Sequence, residues 1–378
     1  MSNSTSVIAT TIAAKKGNIG HLQLNMPKAL NSLNLEMVQL LNTQLIEWES
    51  NDDIACIVLS GSGEKAFCAG GDVQALYKSA IKTPGGPCTY AEQFFLEEYE
   101  LDHRIHTYSK PLICIGSGIV MGGGLGLMAG ASHRIVTETT RIAMPEVSIG
   151  LFPDVGGTRF LNDMPYGLGI FYALTGASVN ANDALFLNLA DYFFTNEQTL
   201  KLTEQLSSIS WVKDPIKNTE RLNDKLKKLC LPCEHTQRHA PSELANYLKP
   251  LTQASQKDGL GDIIYALNAI DHDSPWLTRA LKGLSSGSPL SSLLIYEQLR
   301  RFRYVTLEET FEAELVLATN IVRYPEFAEG VRALLIDKDK KPKWQYAHFS
   351  HVTATLMESF FKAPFEENPL TRRLRDTP

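Results

Sequence analysis

The middle of the chain holds two apolar runs separated by little more than glycine, and this stretch restricts the fold more than any other. Pro111–Ile115 reads as a buried strand. Gly122, Gly123 and Gly124 then open a helix through Leu125–Leu127 towards Gly130. A further strand follows, and then two acids set among turn residues, Glu146 after Pro145 and Asp154 after Pro153. A strand-turn-helix-strand order belongs to the α/β class. A bare backbone at a helix start approaches a ligand closely and aims N–H groups at negative charge. The stretch therefore reads as an oxyanion site with two carboxylates beside it.

A second segment repeats the device. Ile54–Ser60 is a short apolar strand, and Gly61-Ser-Gly-Glu-Lys-Ala-Phe-Cys-Ala-Gly-Gly-Asp72 leads from it into a helix near Val73–Lys78. Asp72 reads as the cap of that helix, because a carboxylate there accepts orphan N–H groups. Gly70 and Gly71 again leave the backbone bare. Attack on a thioester carbonyl, or removal of its α-proton, puts negative charge on the carbonyl oxygen, and two preorganised N–H donors can hold it. Losing one such donor costs about 2.7–4 kcal/mol, or ~10²–10³ in rate. On residues alone, two ordinary βα turns explain the pattern equally well. A dinucleotide site fits worse. In Gly116-Ser-Gly118-Ile-Val-Met-Gly122 the third glycine falls one position late, and no phosphate-binding GxxxxGK[ST] loop occurs. No nicotinamide or flavin cofactor is expected.

The N-terminal part reads as a hairpin, Val7–Ala13 and Ile19–Asn25, around Lys15-Lys16-Gly17-Asn18. Asn34 caps a helix through Trp48 with Met37, Leu40, Leu41 and Leu45 at helical spacing. Ala91–Thr107 is a helix in which residue type alone leaves Glu98 an exposed charge. Lys28, by the same criterion, is a solvated loop charge. Beyond about Leu161 the chain is mostly amphipathic helix: Asn180–Leu189, Asn196–Ser207, Ser242–Leu248, Leu290–Phe302 and Leu307–Ile321, with charge-rich Lys213–Lys228 as a solvated helix or insertion. The expected division is residues 1–215 as the core and 216–378 as a mainly helical region packed on it.

At 378 residues the chain can bury a full core. A net charge of −6 argues against nucleic acid or an anionic membrane surface as partner. No apolar run reaches the ~18 residues of a membrane span. The first residues make a poor secretory signal, although a Ser/Thr-rich start with Lys15 and Lys16 is compatible with a weak organelle transit signal. The cysteines, two of them inside apolar runs, fit reduced thiols. That suits the cytoplasm of a bacterial-type cell or, in a eukaryote, the mitochondrial matrix. Cys230-Leu-Pro-Cys233, with His235 and His239 after it, is too compact for the usual zinc finger and reads as a surface helix end. No metal is expected.

Phe67-Cys-Ala-Gly-Gly-Asp72, Met121-Gly-Gly-Gly124 and Gly150-Leu-Phe-Pro-Asp-Val-Gly-Gly-Thr158 together resemble the crotonase (enoyl-CoA hydratase/isomerase) superfamily. The resemblance covers residues 7–210 well. It implies a ββα spiral core with a helical C-terminal region, an acyl-CoA substrate, and homo-oligomers of three or six copies. By motif position, Gly71 and Gly123 would donate the oxyanion N–H groups. Leu24-Asn-Met-Pro-Lys-Ala-Leu-Asn31 resembles the family's CoA-binding loop, which raises Lys28 and Ala29 to nucleotide contacts, with Ala69 a further substrate contact.

The departures from the pattern narrow the activity. Hydratases of this superfamily carry two glutamates, and the position of the first is Gly126 here. The second is present as Glu146. Hydration then lacks half of its acid–base pair. Asp154 stands where hydratases usually have glycine. Together with Phe95, Glu98 and Tyr99, Met144-Pro-Glu146 and Phe152-Pro-Asp154, this is similar to the 3-hydroxyisobutyryl-CoA hydrolase branch. The C-terminal Pro325–Asp339 and Pro342-Lys-Trp344 resemble the tail of the same branch. The resemblance implies thioester hydrolysis of a short 3-hydroxyacyl-CoA, as in valine breakdown, with Glu146 as general base or nucleophile. Asp154 would orient the 3-hydroxyl or assist proton transfer, and Glu98 would line the acyl pocket. No cofactor is needed, since CoA is part of the substrate. The alternatives are a hydratase or isomerase working through an enolate, and a non-catalytic acyl-CoA-binding protein.

Overall fold

The computed structural model describes residues 5–375, apart from the side chains of Cys233 and Glu234. Two compact units interleave along the chain. The first takes in residues up to Gly71, then Arg104–Ile142 and Val179–Ser242; the second takes in Asp72–His103, Ala143–Ser178 and the chain from Glu243 onward. Residue 215 falls inside the first unit, at the start of the helix Pro215–Leu229.

Nine strands occur among the described residues: β1 (Val7–Ala13), β2 (Asn18–Leu24), β3 (Ile54–Gly61), β4 (Ala66–Cys68), β5 (Leu112–Gly116), β6 (Ile119–Met121), β7 (His133–Val136), β8 (Arg141–Ala143) and β9 (Tyr192–Phe193). A six-stranded sheet has the order β1-β2-β3-β5-β7-β9, and a three-stranded one the order β4-β6-β8. β1 and β2 form the expected antiparallel hairpin, Val7 opposite Leu24 and Ala13 opposite Asn18. From β2 onward the large sheet is parallel. Parallel strands covered on both faces read as unbroken apolar runs. That is why Ile54–Leu59 is buried at every position. Leu222 and Leu226 of the helix Pro215–Leu229 join Ile19, Cys56, Val58 and Ile113 in this core, so the charge-rich segment is a packed helix with one apolar stripe.

Helix α1 (Leu35–Ser50) begins where expected, with the Met37 N–H donating to Asn34 Oδ1 at 2.8 Å. Met37, Val38, Leu41, Leu45 and Trp48 are buried, whereas Leu40 is 38% exposed, at the edge of the stripe. The expected helix Asn196–Ser207 is two, Asn196–Leu200 and Leu202–Ser207. The turn at Lys201 buries Leu202 and Leu206 and leaves Leu200 in solvent.

In the second unit, Asp72 caps α2 (Val73–Lys82) by accepting the Ala75 N–H at 3.2 Å. Helix α3 (Thr89–Thr107) is fastened near its start by Arg323, which donates to both oxygens of Glu92 at 2.7 and 2.8 Å. Helices Pro275–Ser286, Pro289–Arg301 and Leu307–Val322 each begin on a hydroxyl cap, Ser274, Ser288 and Thr306. Ser242–Leu248 forms only a short 3-10 turn, Leu244–Tyr247, before the helix Leu248–Ser255. No helix among the described residues is long and apolar enough to cross a membrane.

Candidate active site

In the first unit, parallel pairing of β4 with β6 sets the two glycine turns side by side, with Ala66 beside Ile119 and Cys68 beside Val120. Only glycine permits the approach. A Cβ on Gly124 would lie 2.4 Å from the Cys68 carbonyl oxygen, and one on Gly70, which has φ +96°, would lie 3.0 Å from that of Met121. Neighbouring amides are spoken for. Ala69 N–H donates to Leu30 O at 3.1 Å, Leu33 N–H to Gly70 O at 2.8 Å, and the Leu125 and Gly126 N–H groups both to Gly122 O. Among the described residues the N–H groups of Gly71 and Gly123 meet no acceptor. Two free donors thus stand on adjoining turns, the elementary requirement for holding an oxyanion. Gly126 lies inside α4 (Gly123–Ala129), whose sequence carries no acid.

The loop before α1 reaches the same turns. Asn31 is fully buried, donating from Nδ2 to Ser62 O and Ala66 O at 3.0 Å each and accepting the Met26 N–H at 2.9 Å. Lys28 and Ala29 ride exposed on the 3-10 turn Pro27–Ala29 held by this anchor. Lys28 shares with Lys65 and Ser62 the rim of a cavity of about 410 Å³. Ala69 is half-buried.

The second unit gathers the acids. Glu146 opens the 3-10 turn Glu146–Ile149, which is tied down by the Ser288 N–H donating to Val147 O at 2.9 Å. Its carboxyl is buried and Oε2 has no partner among the described residues. Burial raises its pKa well above the ordinary carboxyl value, and the charge of Asp154 raises it further. Asp154 is buried too, and burial lifts its pKa to about 6 against the Tyr99 hydroxyl, which donates to Oδ2 at 2.6 Å and favours the anion.

Glu98 is only 2% exposed. This corrects the reading from residue type: α3 is buried on more than one face, with Phe94, Phe95, Tyr99 and Leu101 around it. Burial, then Asp154, then Glu146 raise the Glu98 pKa well above normal. Acids that repel one another in a dry site cannot all ionise, so the group titrates as a whole with fewer charges than carboxyls. Asp154, with its hydroxyl donor, is the member that ionises most readily.

Three participants escaped the sequence reading. Asp102, one helical turn beyond Glu98, is fully buried with both oxygens unpartnered among the described residues. Glu314 and Gln298 grip the backbone around Asp154. The only available signal for Glu314 was an acid on the same helical face as Phe311, Leu315 and Ala318. Of the CxxC pair, Cys230 is half-buried, and the Cys233 side chain lies outside the described residues.

Comparison with known proteins adds a second line. Residues 19–361 match the enoyl-CoA hydratase/isomerase family. The mitochondrial 3-hydroxyisobutyryl-CoA hydrolase of Gallus gallus is 36% identical over 376 residues, 97% of this chain and 92% of that protein. The mitochondrial enzyme of the same name from Dictyostelium discoideum is 35% identical over 365 residues, 94% and 91% of the two chains. Among solved structures, a carnitinyl-CoA dehydratase from Mycobacterium thermoresistibile superposes with a TM-score of 0.82 at 33% identity, covering 97% of this chain and 98% of that one.

Proposed function

The chain belongs to the enoyl-CoA hydratase/isomerase family, and from that premise we propose that it is a thioester hydrolase of short 3-hydroxyacyl-CoA. The preferred substrate is 3-hydroxyisobutyryl-CoA, cleaved to 3-hydroxyisobutyrate and free CoA in valine catabolism. In this reading the N–H groups of Gly71 and Gly123 hold the negative charge that develops on the thioester oxygen. Glu146 either takes a proton from the attacking water or attacks the carbonyl itself, forming a mixed anhydride that water then opens. In both routes the C–S bond breaks, the thiolate leaves and takes up a proton, and water supplies the carboxylate oxygen. Asp154 orients the 3-hydroxyl or relays the proton, and Glu98 lines the acyl pocket. Lys28, Ala29 and Ala69 contact the CoA portion, and no separate cofactor takes part.

One observation carries the choice of hydrolysis. The helix that opens at the glycine turn has Gly126 where a hydratase needs an acid, while Glu146 and Asp154 share a buried carboxyl cluster. Thiol release from a 3-hydroxyacyl-CoA, read with a disulfide dye, tests it. Release from 3-hydroxyisobutyryl-CoA with no water added to a 2-enoyl-CoA is the expected result. The likeness to a carnitinyl-CoA dehydratase favours a second reading, reversible hydration through an enolate. Loss of the enoyl absorbance without thiol would establish that reading instead.

The two relatives named above are mitochondrial by name. We assign this chain to the matrix in a cell with mitochondria and to the cytoplasm otherwise. A trimer or hexamer belongs to the same proposal, and sedimentation of the purified protein tests it.

A further inference from the structure

Asp154 sits at the mouth of a turn that the chain does not adopt by preference. Val155 and Gly156 follow with φ of +54° and +83°, and the Gly157 N–H closes the turn on Asp154 O at 2.7 Å. Glycine takes such angles freely. A β-branched residue takes them only where its surroundings enforce them.

The enforcement comes from two helices. Glu314, on Leu307–Val322, is entirely buried and accepts the Gly156 N–H on Oε2 at 2.8 Å and the Thr158 N–H on Oε1 at 2.9 Å. Gln298, on Pro289–Arg301, donates from Nε2 to Pro153 O at 2.8 Å and to Thr158 Oγ1 at 2.7 Å. The backbone is therefore held on both sides of Asp154. The Tyr99 hydroxyl meets Asp154 at 2.6 Å only while the turn keeps this shape. An apolar side chain would fill the place of Glu314 without burying a carboxyl. The two N–H groups it accepts are what an apolar side chain cannot replace.

We propose that Glu314 is a positioning residue: its carboxyl group clamps the Val155–Gly156 turn and thereby aims the Asp154 side chain for the reaction, with Gln298 as the second jaw. The inference rests on the reading above that Asp154 takes part in thioester cleavage. Displacing a reacting group by about 1 Å can cost ~10² in rate.

The test is a double-mutant cycle in the full-length protein with 3-hydroxyisobutyryl-CoA, following kcat and KM separately and checking the fold by circular dichroism. Glu314→Gln keeps the shape but turns an amide N–H₂ towards one of the two donors. It is expected to lower kcat about 10- to 100-fold with KM within about twofold. In the Asp154→Asn background the same change is expected to cost less than about twofold, because the clamp acts through Asp154. If Glu314→Gln does not fold, Gln298→Leu is put through the same cycle and judged by the same pattern. An equal loss of kcat in both backgrounds, or no loss in the parent, overturns the inference. Full activity of Asp154→Asn alone removes the reading of Asp154 and this inference with it, so the two failures are told apart by which single variant stays active.

Discussion

Tyr99→Phe removes one hydroxyl and leaves the ring packed against Phe95 and Phe311, with centroids 5.9 and 6.1 Å away. That hydroxyl donates to Asp154 at 2.6 Å and opposes the burial that lifts the carboxyl to about 6. A hydrogen bond to a charged group contributes about 1.5–3 kcal/mol, and one pH unit corresponds to about 1.4 kcal/mol. Without the donor, Asp154 should titrate roughly one to two pH units higher. The anion loses its stabilising partner, so the proton is held to higher pH and activity that needs the anion disappears sooner on acidification. The acid limb of kcat/KM, which reports the coupled acids as a group, should move roughly one to two units to higher pH. On that limb the variant should be roughly 10- to 100-fold slower, with near-parental rates at pH well above it. Thiol release across that range, with a dye that reads at low pH, measures it. A limb that stays in place, or a loss uniform in pH, would refute the role of the Asp154 charge.

Glu146→Gln should fold, melt within a few degrees of the parent and lose nearly all turnover; retention of most activity would remove Glu146 from the mechanism. Glu98→Gln should raise thermal stability at about pH 8 and leave it unchanged near pH 4. Burial holds the folded-state Glu98 pKa well above its unfolded value, so its contribution to stability is present in acid and is lost as pH rises. Melting curves at the two pH values decide, and a loss of stability at the higher one would contradict the sign. Gly124→Ala drives a Cβ to within 2.4 Å of Cys68 O and should displace the turn that carries the Gly123 N–H. The expected fall in kcat is ~10²–10³, and unchanged kcat in a folded variant would argue that this turn holds no oxyanion.

The glycine turns were legible because their signal is local: a strand, a run without side chains and a helix lie next to one another in the chain. So was the capping role of Asp72, whose partner is three residues on. Residue type alone leaves Glu98 exposed for the opposite reason. An acid on a helix is exposed by default, and its burial depends on whole helices covering α3. Glu314 and Gln298 act on residues 158 and 145 positions away in sequence, a distance at which no spacing rule operates. The break at Lys201 was hidden because Leu200, Leu202 and Leu206 are all apolar, and only packing decides which of them faces the core.

The acid cluster has a cost that bears on mechanism. Glu98, Asp102, Glu146, Asp154 and Glu314 are buried in one unit, and burial is the largest influence raising each of their pKa values. Apolar residues of similar volume would fold with less penalty, so packing does not account for these side chains. Burial and repulsion leave fewer charges than carboxyls, and Glu98 and Glu146 hold their protons more tightly than Asp154. Thioester hydrolysis asks for such a group. In the proposed reaction an ionised carboxylate is needed while the carbonyl is attacked, and a proton for the departing thiolate a moment later. A hydratase divides these duties between two glutamates on separate elements. A chain with Gly126 in place of the first keeps its remaining acids in one buried group, where the charge of Asp154 raises the pKa of both Glu98 and Glu146.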